Sequence, residues 1–231
     1  GPAAAPAGGA GAGGPAAGAA SPASVADFPD AKVLHLGSGV GGVTFELARS
    51  FGAVVGVDKS EPLIRHARLM VHHGEKLYER VHEGVLATSQ LAKVPEGIRR
   101  GRCSFWLSDA AELSEDVKVD GPYSMVVADG IVERLTQPLN LLTTVHEVMA
   151  PGGLLVISTN NDWRADVTPR TSWLGGFQMN GEDMDTLSML THVLKKNFEM
   201  VSKSDVARLK RLHARKYDLS VMQVSVWKLK G

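Results

Sequence analysis

The sequence has few of the residues that mark several common classes of protein. Only one of its 231 residues is cysteine, which excludes an internal disulfide framework and any cysteine-cluster zinc or iron–sulfur site. Lysine plus arginine and aspartate plus glutamate number 25 each, so the chain has no net charge that would attract nucleic acid in general. No apolar run is long enough to cross a bilayer. The remaining composition, with 44% hydrophobic and 22% charged residues, is ordinary for a globular protein.

The first 24 residues contain only glycine, alanine, proline and serine. Such a stretch has no large side chain to bury, so we expect residues 1–24 to form a flexible linker or tail and residues 25–231 to form the folded domain. The stretch lacks the charged start of a signal peptide and the arginines of a mitochondrial presequence, which favours a cytoplasmic location. Its Gly1-Pro2 start is typical of a protease scar or of a piece cut from a longer chain.

The rest of the sequence alternates apolar runs with amphipathic segments. The apolar runs predict strands at 32–36, 53–57, 102–107, 123–128 and 154–158. The amphipathic segments predict helices at 43–51, 61–73, 75–92, 139–149 and 186–196. Two last strands, at 198–201 and 221–227, are joined through a basic segment. This order predicts an α/β, Rossmann-like fold with a mainly parallel, seven-stranded sheet and a C-terminal antiparallel strand pair.

A glycine-rich loop joins the first predicted strand to the first predicted helix. It reads Gly37-Ser38-Gly39-Val40-Gly41-Gly42, and the glycines allow a sharp turn and a close approach to a ligand. Asp58 ends the next strand, where a carboxylate accepts hydrogen bonds from both ribose hydroxyls of a nucleoside. The joint spacing favours a nucleoside site over the alternative, a tight turn followed by a solvated aspartate.

Two further loops narrow the choice of nucleoside. A dinucleotide requires a second mononucleotide half, whereas this chain ends in the strand pair. S-adenosylmethionine (SAM) requires one half-site and room for its methionine part. Asp109 would accept from the adenine amino group, and Asp129 would lie beside the reacting methyl group. We therefore predict SAM as the cofactor, no metal site, and cofactor contacts from the loops that follow the first four strands: Gly37, Ser38, Gly39, Gly41, Asp58, Lys59, Asp109, Ala110, Ala128 and Asp129.

With these motifs, residues 28–231 resemble the class I SAM-dependent methyltransferases. The resemblance implies an enzyme that moves a methyl group from SAM to an acceptor. The chain departs from the family pattern at His35, where an acidic residue is usual, and this concerns one polar contact near the methionine part of the cofactor.

A narrower resemblance rests on two C-terminal motifs, Trp173-Leu174-Gly175-Gly176 and Arg215-Lys216-Tyr217 followed by Val226-Trp227. They look like the C-terminal methyltransferase domain of the ovothiol biosynthesis protein, the 5-histidylcysteine sulfoxide synthase family. The resemblance implies methylation of a ring nitrogen of 5-mercaptohistidine to give ovothiol A. It also implies an iron-dependent sulfoxide synthase, fused or separate, as partner. The family commonly has a Pro-Tyr pair where this chain has Asn160-Asn161.

For catalysis we expect the chain to position the acceptor ring rather than to supply a strong base. Asp129 is the candidate catalytic residue, because it would orient the ring or accept its N–H; a capping role for this loop aspartate is an equal alternative. The candidate substrate contacts are polar or aromatic residues that follow the fifth strand or lie near the C-terminus, with turn chemistry, solvated arginines and plain core packing as alternatives: Asn160, Asn161, Trp163, Arg170, Trp173, Arg215 and Tyr217.

Other functions also agree with the sequence. The first alternative to the leading prediction is a methyltransferase for histidine, a related thiol or an RNA. A non-catalytic SAM-binding module that regulates a partner is a further alternative. Residues 195–216 hold eight lysines and arginines, but Phe198 is the only aromatic residue there, which favours a solvated face with one or two substrate contacts over an RNA-binding surface.

Overall fold

The computed structural model describes residues 27–213 and 215–231, so the predicted tail at 1–24 lies outside the described residues. The strands are β1 Phe28–Leu36, β2 Phe51–Asp58, β3 Glu75–Glu83, β4 Leu86–Lys93, β5 Cys103–Leu107, β6 Tyr123–Asp129, β7 Met149–Thr159, β8 Phe177–Met179, β9 Glu182–Met184, β10 Phe198–His213 and β11 Lys216–Leu229. The helices are α1 Gly42–Leu47, α2 Glu61–His73, α3 Glu115–Val119, α4 Pro138–Thr144 and α5 Thr186–Leu194.

Seven strands form one sheet in the order β10-β11-β7-β6-β1-β2-β5. The pairs β5–β2, β2–β1, β1–β6 and β6–β7 are parallel, whereas β11 is antiparallel to β7 and to β10. This is the predicted fold, a mainly parallel seven-stranded sheet closed by an antiparallel C-terminal pair, and the prediction is confirmed.

The sheet is buried on both faces, because successive residues of its central strands belong to different cores. Val33 of β1 packs with Phe45 of α1 and Ile64 of α2. The next residue, Leu34, belongs to the core that includes Leu141 of α4 and Leu190 of α5. Side chains alternate across a strand, so α1 and α2 cover one face while α4 and α5 cover the other. The fully buried strands are apolar on both faces for this reason.

The strand order reverses between β1 and β6, the two strands at the centre of the sheet. In open α/β sheets the carboxyl ends of the strands leave a crevice at this point, and ligands bind there. The carboxyl ends of β1, β2 and β6 meet at this edge. The glycine-rich loop follows β1, Asp58 is the last residue of β2, and Asp129 is the last residue of β6. The topology therefore brings together three features that are far apart in sequence.

The segment 75–92, which was predicted to be helical, forms the antiparallel hairpin β3–β4 instead, and that prediction was wrong. Gly74 ends α2 in a left-handed conformation with φ of 75°, and its N–H donates to the Met70 carbonyl at 2.9 Å. Gly84, with φ of 54°, lies in the turn between the strands. The lysine, glutamate and arginine residues of this segment are good helix formers, but the glycines at 74 and 84 fix the turns of a hairpin.

The predicted helix 139–149 is shorter in the structure. Helix α4 ends at Thr144 and a single tighter turn, Val145–Val148, follows. The hydroxyl of Thr143 donates to the Leu139 carbonyl at 2.9 Å, and that of Thr144 donates to the Asn140 carbonyl at 2.8 Å. Such side-chain bonds compete with the helix backbone, and the β-branched residues here also lower helix propensity.

The C-terminal strands are much longer than predicted. Strand β11 pairs with β7 only from Gln223 to Lys228, whereas its pairing with β10 continues to the turn, where Lys216 lies opposite His213. Residues 206–213 and 216–222 therefore form a two-stranded ribbon that continues past the end of β7. We call this ribbon the C-terminal arm; it contains the basic segment that was predicted as a connection.

No helix within residues 27–213 and 215–231 combines the length and the apolar character needed to span a bilayer.

Candidate functional site

The glycine-rich loop needs glycine at three positions, for different reasons. Gly37, Gly39 and Gly41 have φ of 70°, 56° and 97°, in the left-handed region that favours glycine. A Cβ on Gly37 would lie 2.8 Å from Ile131 Cδ1, and one on Gly41 would lie 2.5 Å from Phe105 Cζ. A Cβ on Gly39 would have no heavy atom within 4 Å. The absence of a side chain at Gly37 and Gly41 therefore lets Ile131 and Phe105 pack against the loop, whereas Gly39 faces open space.

Asp58 fixes this loop to the end of β2. Its Oδ2 accepts the backbone N–H of Gly39 at 2.9 Å, and its Oδ1 accepts the backbone N–H of Ser60 at 2.9 Å. A carboxylate oxygen can accept two hydrogen bonds, so each oxygen of Asp58 retains capacity for a ligand. The side chain is partly exposed at the carboxyl edge of the sheet. This is the arrangement in which a carboxylate binds two ribose hydroxyls.

A groove of about 580 Å³ lies above the ends of β1, β2 and β6. Its size is within the range of small-molecule sites. The open space beside Gly39 and the free acceptor capacity of Asp58 fit the adenosine part of SAM. Its lining residues come from the glycine-rich loop, from the segments after β2 and β6, and from the C-terminal arm: Gly37, Gly39, Asp58, Leu63, Asp129, Gly130, Ile131, Arg134, Arg208, Leu209 and Lys210.

His35 lies in β1 with only 2% of its surface exposed, where an acidic residue is usual in the resembling family. Its Nδ1 is 2.8 Å from the Thr44 hydroxyl oxygen of α1. Burial lowers the pKa of His35 to about 4, although the carboxylates of Asp129 and Asp58 act in the opposite direction. The imidazole is therefore neutral at neutral pH.

Asp129, at the end of β6, accepts hydrogen bonds from two elements that are distant in sequence. The Ser158 hydroxyl of β7 donates to its Oδ1, and Arg208 Nη1 of the C-terminal arm lies 3.5 Å from each carboxylate oxygen. The arm thus reaches the groove through an ion pair with the predicted catalytic residue. Ser158 and Arg208 fix the direction of the carboxylate.

The predicted aromatic residues lie together in the segment after β7. The ring centroids of Trp163 and Trp173 are 6.3 Å apart, and the Trp163 indole N–H donates to the Thr186 hydroxyl at 2.9 Å. The Trp173 indole N–H donates to the Thr168 carbonyl at 2.8 Å, and the Arg170 guanidinium lies 5.6 Å from the Trp173 ring centroid. The two indoles are therefore held in fixed orientations.

The two predicted asparagines, Asn160 and Asn161, directly follow β7 and line two pockets other than the groove. Asn161 adopts φ of 58°, a left-handed conformation that asparagine tolerates. Its N–H donates to the Thr159 hydroxyl at 3.0 Å. Asn161 and Trp163 line an open pocket of about 620 Å³ beside β8 and β9, and Asn160 lines a separate cavity on the side of Arg134.

Several predicted cofactor residues do not line the groove. The Gly41 position is filled by phenylalanine rings, and Ala128 is 0% exposed in the core. Ser38 is buried with its hydroxyl unpartnered among the described residues, and Lys59 is exposed. The cofactor contacts of these residues stay predictions. Because the side chain of Ala128 is buried, only its backbone could contact SAM.

Asp109 and Ala110 follow β5 on the far side of β2 from β1. Asp109 Oδ1 accepts the Ala111 N–H at 2.8 Å, and Ala110 is buried. The second carboxylate oxygen of Asp109 has no hydrogen-bond donor within the described residues, so it is free for an adenine amino group.

Arg215 and Tyr217 lie near the turn of the C-terminal arm rather than at the groove. Tyr217 is 52% exposed, and the Arg211 guanidinium lies 5.8 Å from its ring centroid. Neither Arg215 nor Tyr217 is among the residues that line the groove.

Sequence reasoning missed Arg208, Arg134 and Glu133. Arg208 is one of the eight cations of residues 195–216, and nothing in the local sequence distinguishes it from the others. Arg134 and Glu133 follow β6 in a short turn, Val132–Arg134, and their proximity to the carboxyl edge of the sheet was the available signal. Within the described ranges, no cluster of three or more histidine, cysteine, aspartate or glutamate residues could hold a metal ion.

Three solved structures illustrate what the chain is similar to. The N-methyltransferase NodS from Bradyrhizobium japonicum, in complex with S-adenosylhomocysteine, is 13% identical with a TM-score of 0.54, covering 87% of this chain and 79% of that chain. A SAM-dependent methyltransferase from Methanosarcina mazei is 19% identical with a TM-score of 0.55, covering 87% and 93%. Magnesium protoporphyrin IX methyltransferase from Synechocystis, with bound SAM, is 15% identical with a TM-score of 0.50, covering 86% and 69%. No curated protein matches the sequence.

Together with the sheet order and the groove, a match to a methyltransferase-domain model identifies a SAM-dependent methyltransferase, and the predictions of enzyme class and cofactor are confirmed. A family model described as a methyltransferase domain matches residues 17–218. The chain belongs to this methyltransferase domain family.

Proposed function

We propose that this methyltransferase acts on a ring nitrogen of 5-mercaptohistidine and produces ovothiol A. The observation that carries the proposal is Asp129, a carboxylate at the groove that is directed by Ser158 and Arg208. An imidazole acceptor needs such a group, because one ring nitrogen must keep a free lone pair while the other donates its N–H. The two motifs that resemble the ovothiol family, around Trp173 and Tyr217, support the same acceptor.

When bound, SAM would supply an electrophilic methyl group on a sulfonium: an acceptor nitrogen would attack the methyl carbon in line as the carbon–sulfur bond breaks, and S-adenosylhomocysteine would leave. The chain contributes binding and orientation. Asp58 and the open face of Gly39 hold the nucleoside part, and Asp129 accepts the ring N–H so that the other nitrogen presents its lone pair. Alignment of this kind supplies on the order of 7–11 kcal/mol of a displacement barrier.

The surroundings of Asp129 favour a polar, planar acceptor over a long apolar one. Arg208, Arg134 and Lys210 line the groove beside the two carboxylates, Asp58 and Asp129. A separate pocket is lined by Trp163 and Phe177, aromatic residues of the kind that pack against planar rings. The C-terminal arm contributes Leu209 to the wall of the groove.

Mass spectrometry of reactions that contain the protein, SAM and 5-thiohistidine tests the proposal. We expect one added methyl group on a ring nitrogen. We also expect Asp129→Asn to lower kcat at least 100-fold, because general acid–base and positioning groups typically contribute 10²–10⁴-fold. Asp116→Asn, an exposed change in α3, is the matched control and should leave kcat unchanged.

The result decides between the alternatives. Methylation on sulfur, or of free histidine in preference to 5-thiohistidine, would reject the acceptor. SAM binding without turnover of any imidazole would favour a regulatory module. Methylation of an RNA hairpin but not of 5-thiohistidine would assign the basic arm to nucleic acid.

A further inference from the structure

Glu133 is a buried carboxylate with one oxygen unused. The residue is only 4% exposed, and its Oε1 accepts the Asn160 N–H at 3.3 Å. Its Oε2 is fully buried and has no hydrogen-bond partner among the described residues. An unpartnered buried acceptor typically costs about 1–3 kcal/mol, and more when it is charged. This side chain therefore requires a donor that the described residues do not provide.

The position of Glu133 is fixed by its neighbours. Its backbone carbonyl accepts the hydroxyl of Thr168 at 3.0 Å, and that hydroxyl also lies 2.8 Å from the Leu135 carbonyl. Thr168 is itself 0% exposed. The turn that carries Glu133 is thus held against the segment after β7, and the carboxylate is preorganised rather than free to reach solvent.

Glu133 lines a cavity of about 200 Å³, smaller than a complete ligand site. A volume of this size accommodates one end of a ligand rather than a whole cofactor. Arg134 lines both this cavity and the larger groove that contains Asp129, so the two spaces share a wall. The other lining residues come from the segment after β7: Asn160, Asp162, Arg164 and Val167.

The cavity wall includes one hydrogen-bond acceptor, the Glu133 carboxylate, and one cationic donor, the Arg134 guanidinium. Arg164 is already paired with Asp166, at 2.6 Å. Arg134 makes no ion pair within the described ranges, so its guanidinium is available to a carboxylate. The Glu133 side chain and the available guanidinium of Arg134 line one small cavity, and they match the α-ammonium and the α-carboxylate of an amino acid.

We propose that this cavity binds the amino-acid end of the acceptor, an inference that rests on the proposed function. Glu133 accepts hydrogen bonds from the α-ammonium group, and Arg134 donates to the α-carboxylate. The side chain of the amino acid then extends past Arg134 into the groove, where Asp129 orients the ring. The cavity thereby selects a free α-amino acid over an imidazole that lacks the ammonium group.

Calorimetry on the protein saturated with S-adenosylhomocysteine tests this inference without turnover. The probes are 5-thiohistidine and its analogue that lacks the α-amino group. We expect the native chain to bind 5-thiohistidine at least tenfold more tightly than the analogue. Glu133→Gln, which keeps the shape and removes the charge, should abolish this preference, while Arg134→Gln should weaken both ligands. Glu147→Gln, an exposed change, is the matched control.

Two outcomes would overturn the inference. One is equal affinity of the native chain for the two ligands. The other is a preference that Glu133→Gln leaves intact while the variant keeps the melting temperature and cofactor affinity of the native protein. A preference that depends on Glu133, found together with no methyl transfer to 5-thiohistidine, would instead support the subsite and reject the proposed reaction.

Discussion

The residues of the site differ in how well the sequence alone reveals them. Asp58 and Gly39 follow their strands at fixed short distances, and their contact is set by the local strand–loop geometry, so a sequence pattern finds them. The partner of Asp129 is Arg208, which is separated from it by 79 positions and becomes its neighbour only through the strand order. The Glu133 backbone is held by the hydroxyl of Thr168, 35 positions away, and no local motif encodes that contact.

At the residue scale, His35 makes stability depend on pH. Its folded-state pKa of about 4 lies below the ordinary 6.5 of an unfolded chain. Above pH 6.5 the His35 imidazole is neutral in both the folded and the unfolded protein, so it contributes no pH dependence to stability. As the pH falls from 6.5 to 4, the unfolded chain takes up a proton that the folded protein excludes, so about 3 kcal/mol of stability is lost.

We expect His35→Gln to flatten this part of the stability profile. Urea denaturation at several pH values measures the effect, and the slope between pH 6.5 and 4 is compared rather than the absolute stability. His192→Gln, on an exposed position of α5, should keep the native slope. An unchanged slope in His35→Gln would contradict the account, because it would show that the pKa of His35 is the same in the folded and unfolded states.

At the element scale, the parallel strands and the C-terminal antiparallel pair were predictable, whereas the β3–β4 hairpin and the length of the C-terminal arm were not. Buried strands read as apolar runs, and β5, β6 and β7 each appear where such a run occurs. The hairpin β3–β4 is mostly exposed, so its charged residues give no alternation of burial that would distinguish a strand from a helix. From Lys216 to Met222, β11 pairs only with β10, and the basic, exposed strands of this C-terminal arm resemble a loop in the sequence.

The glycine-rich loop offers a test at the same scale, because its glycines have separable tasks. Gly41→Ala combines a positive φ with a Cβ that would lie 2.5 Å from Phe105 Cζ. We expect it to lower the free energy of unfolding by about 3 kcal/mol, since conformational strain and overpacking add. Gly39→Ala has the strain alone, about 1 kcal/mol, but its methyl group would enter the groove and weaken SAM binding. Urea denaturation and calorimetry separate the two effects.

The opposite pattern would contradict this division of tasks. If Gly39→Ala were the more destabilised variant, the space beside it would not be open. If its affinity for SAM were native, the cofactor would not pass over this part of the loop.

At the scale of the whole molecule, the site is a property of the sheet order. Strands β1 and β6 are adjacent although β2 to β5 intervene in sequence, and this brings Asp129 to the same groove as Gly39 and Asp58. The right-handed βαβ rule and the alternation of strands and helices make that order predictable in outline. The reach of the C-terminal arm over the groove was not predictable, since it depends on how far two strands pair beyond the sheet.

The central claim is that the nucleoside of SAM lies in this groove with its ribose bound to Asp58. Calorimetric titration of SAM into the native chain and into Asp58→Ala and Asp116→Ala tests it most directly. We expect Asp58→Ala to weaken SAM affinity at least tenfold, the equivalent of about 1.4 kcal/mol, while Asp116→Ala keeps native affinity. A native affinity in a folded Asp58→Ala variant would contradict it.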